Sequence, residues 1–165
     1  MIAPTIYARA HRRLPVVLML HAARAMLAAP QKGVKRMPEI NVWAILVAAL
    51  SSFALGGLWY SPVLFGGSWN RANGSTPQQR HPARVFGLSF VFALIAAFAF
   101  AVWLGPAPPL SMALRHGLIV GACFVMASFG INYQFAGRST VLLLIDGGYH
   151  VMQFLLFGLV LGLWR

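Results

Sequence analysis

Acidic residues are almost absent from this chain, which has only Glu39 and Asp146 among its 165 residues. All charged residues together make up 9% of the sequence, whereas 59% of it is hydrophobic. A soluble domain carries about 25% charged residues. These few charged side chains cannot cover the surface of a soluble globular protein. Lipid must therefore contact much of the surface. The sequence therefore predicts an integral membrane protein.

Cysteine is nearly absent as well, since Cys123 is the only one. A single cysteine excludes an intrachain disulfide and a cysteine-based metal cluster. The formal net charge of +11 invites a nucleic-acid interpretation, but seven of the 13 Lys and Arg lie in the first 36 residues. The other six are scattered between apolar segments and form no basic stripe of the kind that nucleic-acid binding needs. We expect no nucleic-acid partner.

Four long apolar segments follow the basic N-terminal region, at about residues 40–60, 84–104, 111–133 and 141–164. A helix needs roughly 20 apolar residues to cross a bilayer. Short connections between such helices favour neighbours that run in opposite directions. Residues 37–165 are therefore predicted to form an all-α membrane domain with four transmembrane helices in an antiparallel up-down-up-down bundle.

Residues 1–36 differ from this domain because they are rich in arginine and contain no acidic residue. Three interpretations stay open. The segment is a disordered tail or a start-site artefact that precedes an initiator at Met37; it is a basic helix on an anionic membrane surface; or it is a targeting segment. The choice also decides the predicted membrane orientation, because orientation follows the excess of Lys and Arg in short loops.

The last apolar segment contains an unusual polar face. Asp146, His150 and Gln153 fall within about 60° of one another on a helical projection. A carboxylate at membrane depth normally faces a protein interior or water and marks an ion or proton path. The third and fourth spans should pack as a hairpin, which places Asn132 and Arg138 near Asp146. The alternative is structural: Asp146 caps the helix or pairs with Arg138.

Small residues recur along the same two spans. The pairs Gly117/Gly121 and Gly158/Gly162 match the GxxxG pattern that lets membrane helices approach closely. On an ideal helix, one stripe of the third span contains Gly117, Gly121, Phe124, Ser128 and Asn132. Aromatic side chains near the span ends are predicted to anchor the protein at the membrane interfaces. These anchors are Trp59, Tyr60, Trp69 and Trp164.

Two stretches of sequence resemble a known family. Residues 59–69 read WYSPVLFGGSW, and residues 145–150 read IDGGYH, followed by Gly158, Gly162 and Trp164. Both resemble the bacterial membrane-protein family called domain of unknown function 1761. The resemblance implies a small multi-pass protein of the bacterial cytoplasmic (inner) membrane, and it implies no assigned activity.

Two functions remain open at this point. The first is a solute or proton-coupled transporter or channel that acts as a homo-oligomer, because four spans alone enclose little space. The second is a non-catalytic packing or partner protein that binds other membrane helices. We expect no enzyme, since the two acids and scattered histidines form no recognisable catalytic constellation. We also expect no cofactor and no metal; Asp146, His150 and His116 are suitable ligand types, but nothing in their spacing brings them together.

Overall fold

The structure is a computed structural model, and it describes residue 24 and residues 40–74 and 81–164. The chain forms two compact units, Met1–Met37 and Pro38–Arg165. The second unit contains all the helices discussed below. Apart from Arg24, the three interpretations of residues 1–36 concern residues outside the described part.

The second unit is helical, and its described residues contain no strand. The third span is continuous from Leu110 to Phe135 and consists of two α-helices joined by a π-helical segment. Four helical spans are long and apolar enough to cross a membrane, as predicted, and each predicted end lies within two residues of the observed one. In chain order the elements are α1 (Val42–Trp59), α2 (Gly66–Asn73), α3 (Pro82–Leu104), α4 (Leu110–Ile119), the π-helical segment (Val120–Met126), α5 (Ala127–Phe135) and α6 (Thr140–Leu163).

Local chemistry explains where the spans begin and end. The Asn41 side chain caps α1 by accepting from the backbone N–H groups of Trp43 and Ala44. Ser139 caps α6 in the same way, through the N–H of Leu142 at 3.3 Å. Because α6 begins at Thr140, Asp146 lies well inside the helix. The interpretation of Asp146 as the helix cap is therefore wrong.

The last span, α6, is the centre of the membrane domain. The third span and α1 both pack along it, and α3 packs mainly against α1. The third and fourth spans run in opposite directions, because Gly117 meets Phe154 whereas Ala113 meets Gly158. This antiparallel pairing is the predicted hairpin. The up-down-up-down arrangement of all four spans stays a prediction.

The predicted glycine pairs bring the two backbones of this hairpin into contact. A Cβ atom added to Gly121 would lie 2.6 Å from the Cα of Val151. One added to Gly162 would lie 3.0 Å from the Cα of Leu110. A larger side chain at these positions would force the helices apart, so the glycines act as packing residues within the chain.

We predict that Gly121→Ala lowers the free energy of unfolding by about 1–3 kcal/mol, the usual cost of overpacking. The matched control is Gly57→Ala in α1, since Gly57 is exposed and a Cβ there meets no atom within 4 Å. Both substitutions gain the same helix propensity, so their difference isolates the backbone contact. Thermal unfolding in detergent measures both. Equal stability of the two variants would contradict the packing role of Gly121.

Candidate functional site

Asp146 is the centre of a buried polar cluster, and its side chain is 9% exposed. Its Oδ1 accepts from the Tyr60 hydroxyl at 2.8 Å and from the Trp69 indole N–H at 2.9 Å. Its Oδ2 accepts from the Tyr133 hydroxyl at 2.7 Å. All three donors are uncharged. An ionised carboxylate has about four acceptor positions, and three of them are filled here.

The donors come from three separate elements, and a tight turn brings two of them together. Tyr60 follows α1, Trp69 lies in α2, and Tyr133 lies in α5. Between the first two, the backbone folds back so that Gly66 N–H donates to Ser61 O at 3.0 Å. A Cβ on Gly66 would lie 2.8 Å from that oxygen, so the turn requires glycine. The turn directs α2 back toward the last span.

A fourth contact joins the same turn to α6, at residues that lie before and after Asp146. The indole N–H of Trp59 donates to the carbonyl oxygen of Ile145 at 3.0 Å. The ring of the same residue lies over Gly148, where an added Cβ would approach it to 3.3 Å. Trp59 therefore hydrogen-bonds to the backbone of α6, while Tyr60 and Trp69 donate to the carboxylate of Asp146.

Tyr60 lies just past the end of the first span, where it is partly buried. Burial, reinforced by the neighbouring carboxylate of Asp146, raises the pKa of the Tyr60 phenol well above its usual range. The phenol is therefore protonated throughout the physiological pH range. It stays a hydrogen-bond donor to Asp146.

Further along α6, His150 and Gln153 form a second polar pair. The His150 Nδ1 lies 2.7 Å from the Gln153 Oε1, and Gln153 is 6% exposed. With this amide orientation, Nδ1 donates to Gln153. The His150 ring also contacts Phe129, with ring centroids 4.9 Å apart. The pair makes no hydrogen bond to Asp146, so the predicted polar face divides into two sites.

The chain matches a known protein family. The family described as "Protein of unknown function (DUF1761)" matches residues 43–162, which is most of the chain. The chain belongs to this family. Comparisons with curated proteins and with solved structures gave no match.

The two stretches that carry the resemblance to the DUF1761 family contact each other in the structure. Residues 59–69 supply three of the four hydrogen-bond donors described above, and residues 145–150 supply both acceptors. Their side chains form one cluster although they are separated by two membrane spans in the chain. The sequence alone does not reveal this contact, because each stretch has a separate local explanation as a helix end or a polar helix face.

Three aromatic residues that the sequence predicts as interfacial anchors have hydrogen-bond partners inside the protein. These are Trp59, Tyr60 and Trp69, whose polar atoms donate to Asp146 or Ile145. Their role as anchors stays a prediction. A buried carboxylate is a stronger acceptor than interfacial water, so it draws the donors inward. Trp164 is partly exposed at the end of α6, and its role as an anchor stays a prediction.

Two predicted neighbours of Asp146 are not among its hydrogen-bond partners. Arg138 donates from Nη1 to the Oδ1 of Asn73 at 3.4 Å, rather than to Asp146. Asn132 is exposed. The structure thus places Asp146, but neither Arg138 nor Asn132, in the buried site. The suggestion that Asp146 pairs with Arg138 is wrong.

The π-helical segment explains why Asn132 is misplaced. Gly121 and Met126 both face α6, the first against Val151 and the second against Gly147. They are five residues apart, whereas successive residues on one face of an α-helix are three or four apart. A π-helical turn holds one extra residue, which rotates everything after it by about 100° relative to an α-helix.

The rotation replaces one side chain with its neighbour along the third span. An ideal α-helix aligns Asn132 with Gly121. The extra residue moves Tyr133 to that face, where it reaches Asp146. Ser128, predicted on the same stripe, is exposed and bonds to the carbonyl of Phe124. No feature of the sequence marks the π-helical turn.

The geometry around His116 does not indicate a metal site. Its Nδ1 lies 2.8 Å from the carbonyl oxygen of Met112, and its ring contacts Trp103 at 4.8 Å between centroids. Among residues 40–74 and 81–164, no three His, Cys, Asp or Glu side chains are grouped to hold a metal ion. The expectation that the protein binds no metal stays an expectation.

We predict that Trp69→Phe lowers the free energy of unfolding by about 1.5–3 kcal/mol, the usual value of a hydrogen bond to a charged group. The phenyl ring keeps most of the packing but cannot donate to Asp146. The control is Trp43→Phe, because Trp43 is 71% exposed and should change little. Thermal unfolding of both variants measures the difference. A loss in Trp43→Phe as large as in Trp69→Phe would contradict the assignment.

A second prediction concerns the π-helical segment. Deleting Cys123, an exposed residue inside it, should convert the segment to an α-helix and leave Tyr133 facing Asp146. The stability should therefore change by less than about 1 kcal/mol, as for a surface substitution. Deleting Leu118 instead leaves two residues between Gly117 and Gly121, which rotates Gly117 and the residues before it by about 100° relative to Gly121, and should unfold the hairpin. Thermal unfolding would contradict this if both deletions were equally damaging.

Proposed function

We propose that this DUF1761 protein is a non-catalytic packing or partner protein of the bacterial cytoplasmic membrane, in which Asp146 is a structural latch. The observation that carries the proposal is the set of three uncharged donors on one carboxylate, contributed by three elements. The latch holds the turn after the first span against the last span. It also holds α5, so one side chain joins four parts of the chain.

The hydrogen bonding of Asp146 favours a structural role over transport. A transporting carboxylate has to exchange a proton or a cation and so must change its partners during the cycle. Here three acceptor positions are occupied by side chains that are themselves packed in place. Removing the carboxylate would leave up to three donors without a partner, at about 1–3 kcal/mol for each donor that stays buried.

The glycine pairs cannot provide the partner-binding surface, since they are filled within the chain. Their close contacts with Phe154, Val151, Ala113 and Leu110 leave no room for another helix. The outer face of α3 remains, and it exposes large apolar side chains that lie within about 80° of one another on the helix, namely Leu88, Phe92, Ile95 and Val102. We propose that other membrane helices, including those of a second copy, pack against this face.

A proton-coupled transporter that acts as an oligomer is the second candidate, and the His150–Gln153 pair favours it. The pair lies inside the last span, and histidine is a side chain that can exchange a proton. Four spans enclose little space, so a second copy would have to complete the pathway. This candidate requires Asp146 or His150 to exchange protons.

Two substitutions at Asp146 separate the candidates. Asn has one carbonyl acceptor and keeps the shape, so the latch predicts that Asp146→Asn folds with a loss of about 1–2 kcal/mol from the weaker, uncharged hydrogen bonds. Asp146→Leu removes every acceptor and should be severely destabilised. The measurements are thermal unfolding and the pH-driven proton flux of proteoliposomes. Asn132→Ala is the control, because Asn132 is polar but exposed.

The flux assay decides between the two functions. The structural latch predicts no proton flux above that of empty vesicles, for the native chain as for Asp146→Asn. A native flux that Asp146→Asn abolishes, with the fold retained and with Asn132→Ala unaffected, would overturn the latch proposal in favour of transport.

A further inference from the structure

Three exposed arginines lie at the end of the domain that contains the Asp146 cluster. Arg71 is in α2, which follows the end of the first span, and Arg138 is in the loop before α6. The hydrogen bond from Arg138 to Asn73 places that loop beside α2. Arg84 lies in the first turn of α3, and the end of α3 (Ala101 and Leu104) lines one cavity with Ala44 at the start of α1, so Arg84 lies toward the opposite end of α1.

These arginines have no carboxylate to neutralise them. The chain contains only two acidic residues. Asp146 already accepts from three uncharged donors, and Glu39 precedes the first span, whereas α2 follows it. Arg71 donates to the hydroxyl of Ser68 at 3.0 Å, which leaves most of its five N–H donors free. An anion that pairs with them therefore has to come from outside the chain.

Exposed apolar side chains accompany these arginines in the sequence. Val63 is 84% exposed and lies in the turn that leads into α2. Phe135 is 90% exposed and lies three residues before Arg138. Apolar side chains that enter the acyl region beside arginines at headgroup level are the arrangement found where proteins meet a lipid surface. Free anions in water would not explain the apolar component.

We propose that α2 and the loop at residues 136–139 form a binding surface for the phosphate groups of anionic phospholipids, with Arg71 and Arg138 as the phosphate-binding residues. The planar guanidinium fork matches phosphate oxygens in pairs. Anionic lipids are preferred over zwitterionic ones because the surface carries uncompensated positive charge. The surface is separate from the Asp146 latch, since neither arginine donates to Asp146.

The test uses the full chain in phosphatidylcholine bilayers with spin-labelled lipid probes. Electron spin resonance gives the association of spin-labelled phosphatidylglycerol relative to spin-labelled phosphatidylcholine. The native chain should prefer phosphatidylglycerol, and the preference should fall by about fivefold for each arginine removed in Arg71→Gln and Arg138→Gln, which corresponds to about 1 kcal/mol per charge near the surface. The matched control is Arg115→Gln, since Arg115 is exposed near the start of the third span.

Two further arms make the outcome decisive. Raising the salt concentration from about 0.05 M to 0.5 M should weaken the preference of the native chain, because screening reduces the attraction. Millimolar inorganic phosphate should not displace the labelled lipid. The proposal is overturned if the double variant keeps the native preference, if Arg115→Gln loses as much as the double variant, or if inorganic phosphate competes at that concentration.

Discussion

The buried carboxylate of Asp146 is the constraint on which the rest of the membrane domain depends. A carboxyl group away from water is tolerated only when hydrogen bonds replace those that it loses to water. Three uncharged donors do so here, and each has to be delivered from a different part of the chain. These three donors are positioned by the turn at Gly66, by the orientation of α2 and by the register of α5.

The second constraint is the close approach of the third and fourth spans. Glycines on both helices meet backbone atoms of the partner, which sets the axial alignment of the hairpin as well as its separation. The alignment matters for the polar cluster, because Tyr133 reaches Asp146 only at one relative height of the two helices. The glycine contacts between the two spans therefore position the hydrogen bonds of the Asp146 cluster. The helix contact and the polar cluster stabilise each other.

Much of the architecture was predictable because lipid imposes simple requirements on sequence. Each span has to be apolar over about 20 residues, and each loop has to stop the helix. Runs of apolar residues bounded by Pro62, Gly105 and Ser139 therefore reveal the spans to within two residues. The packing glycines were predictable for the same reason, since close helix contact in lipid depends on small side chains.

The site was predictable only in part. The sequence by itself determined that Asp146, His150 and Gln153 lie on one helix, that Asp146 is too costly to face lipid, and that the third and fourth spans pair. Only the tertiary structure decided the partners. Trp59, Tyr60 and Trp69 have amphipathic side chains that suit either the interface or a buried acceptor, and the fold of the turn selects the second. The π-helical turn, which replaces Asn132 with Tyr133, is marked by no local sequence pattern and appears only in the structure.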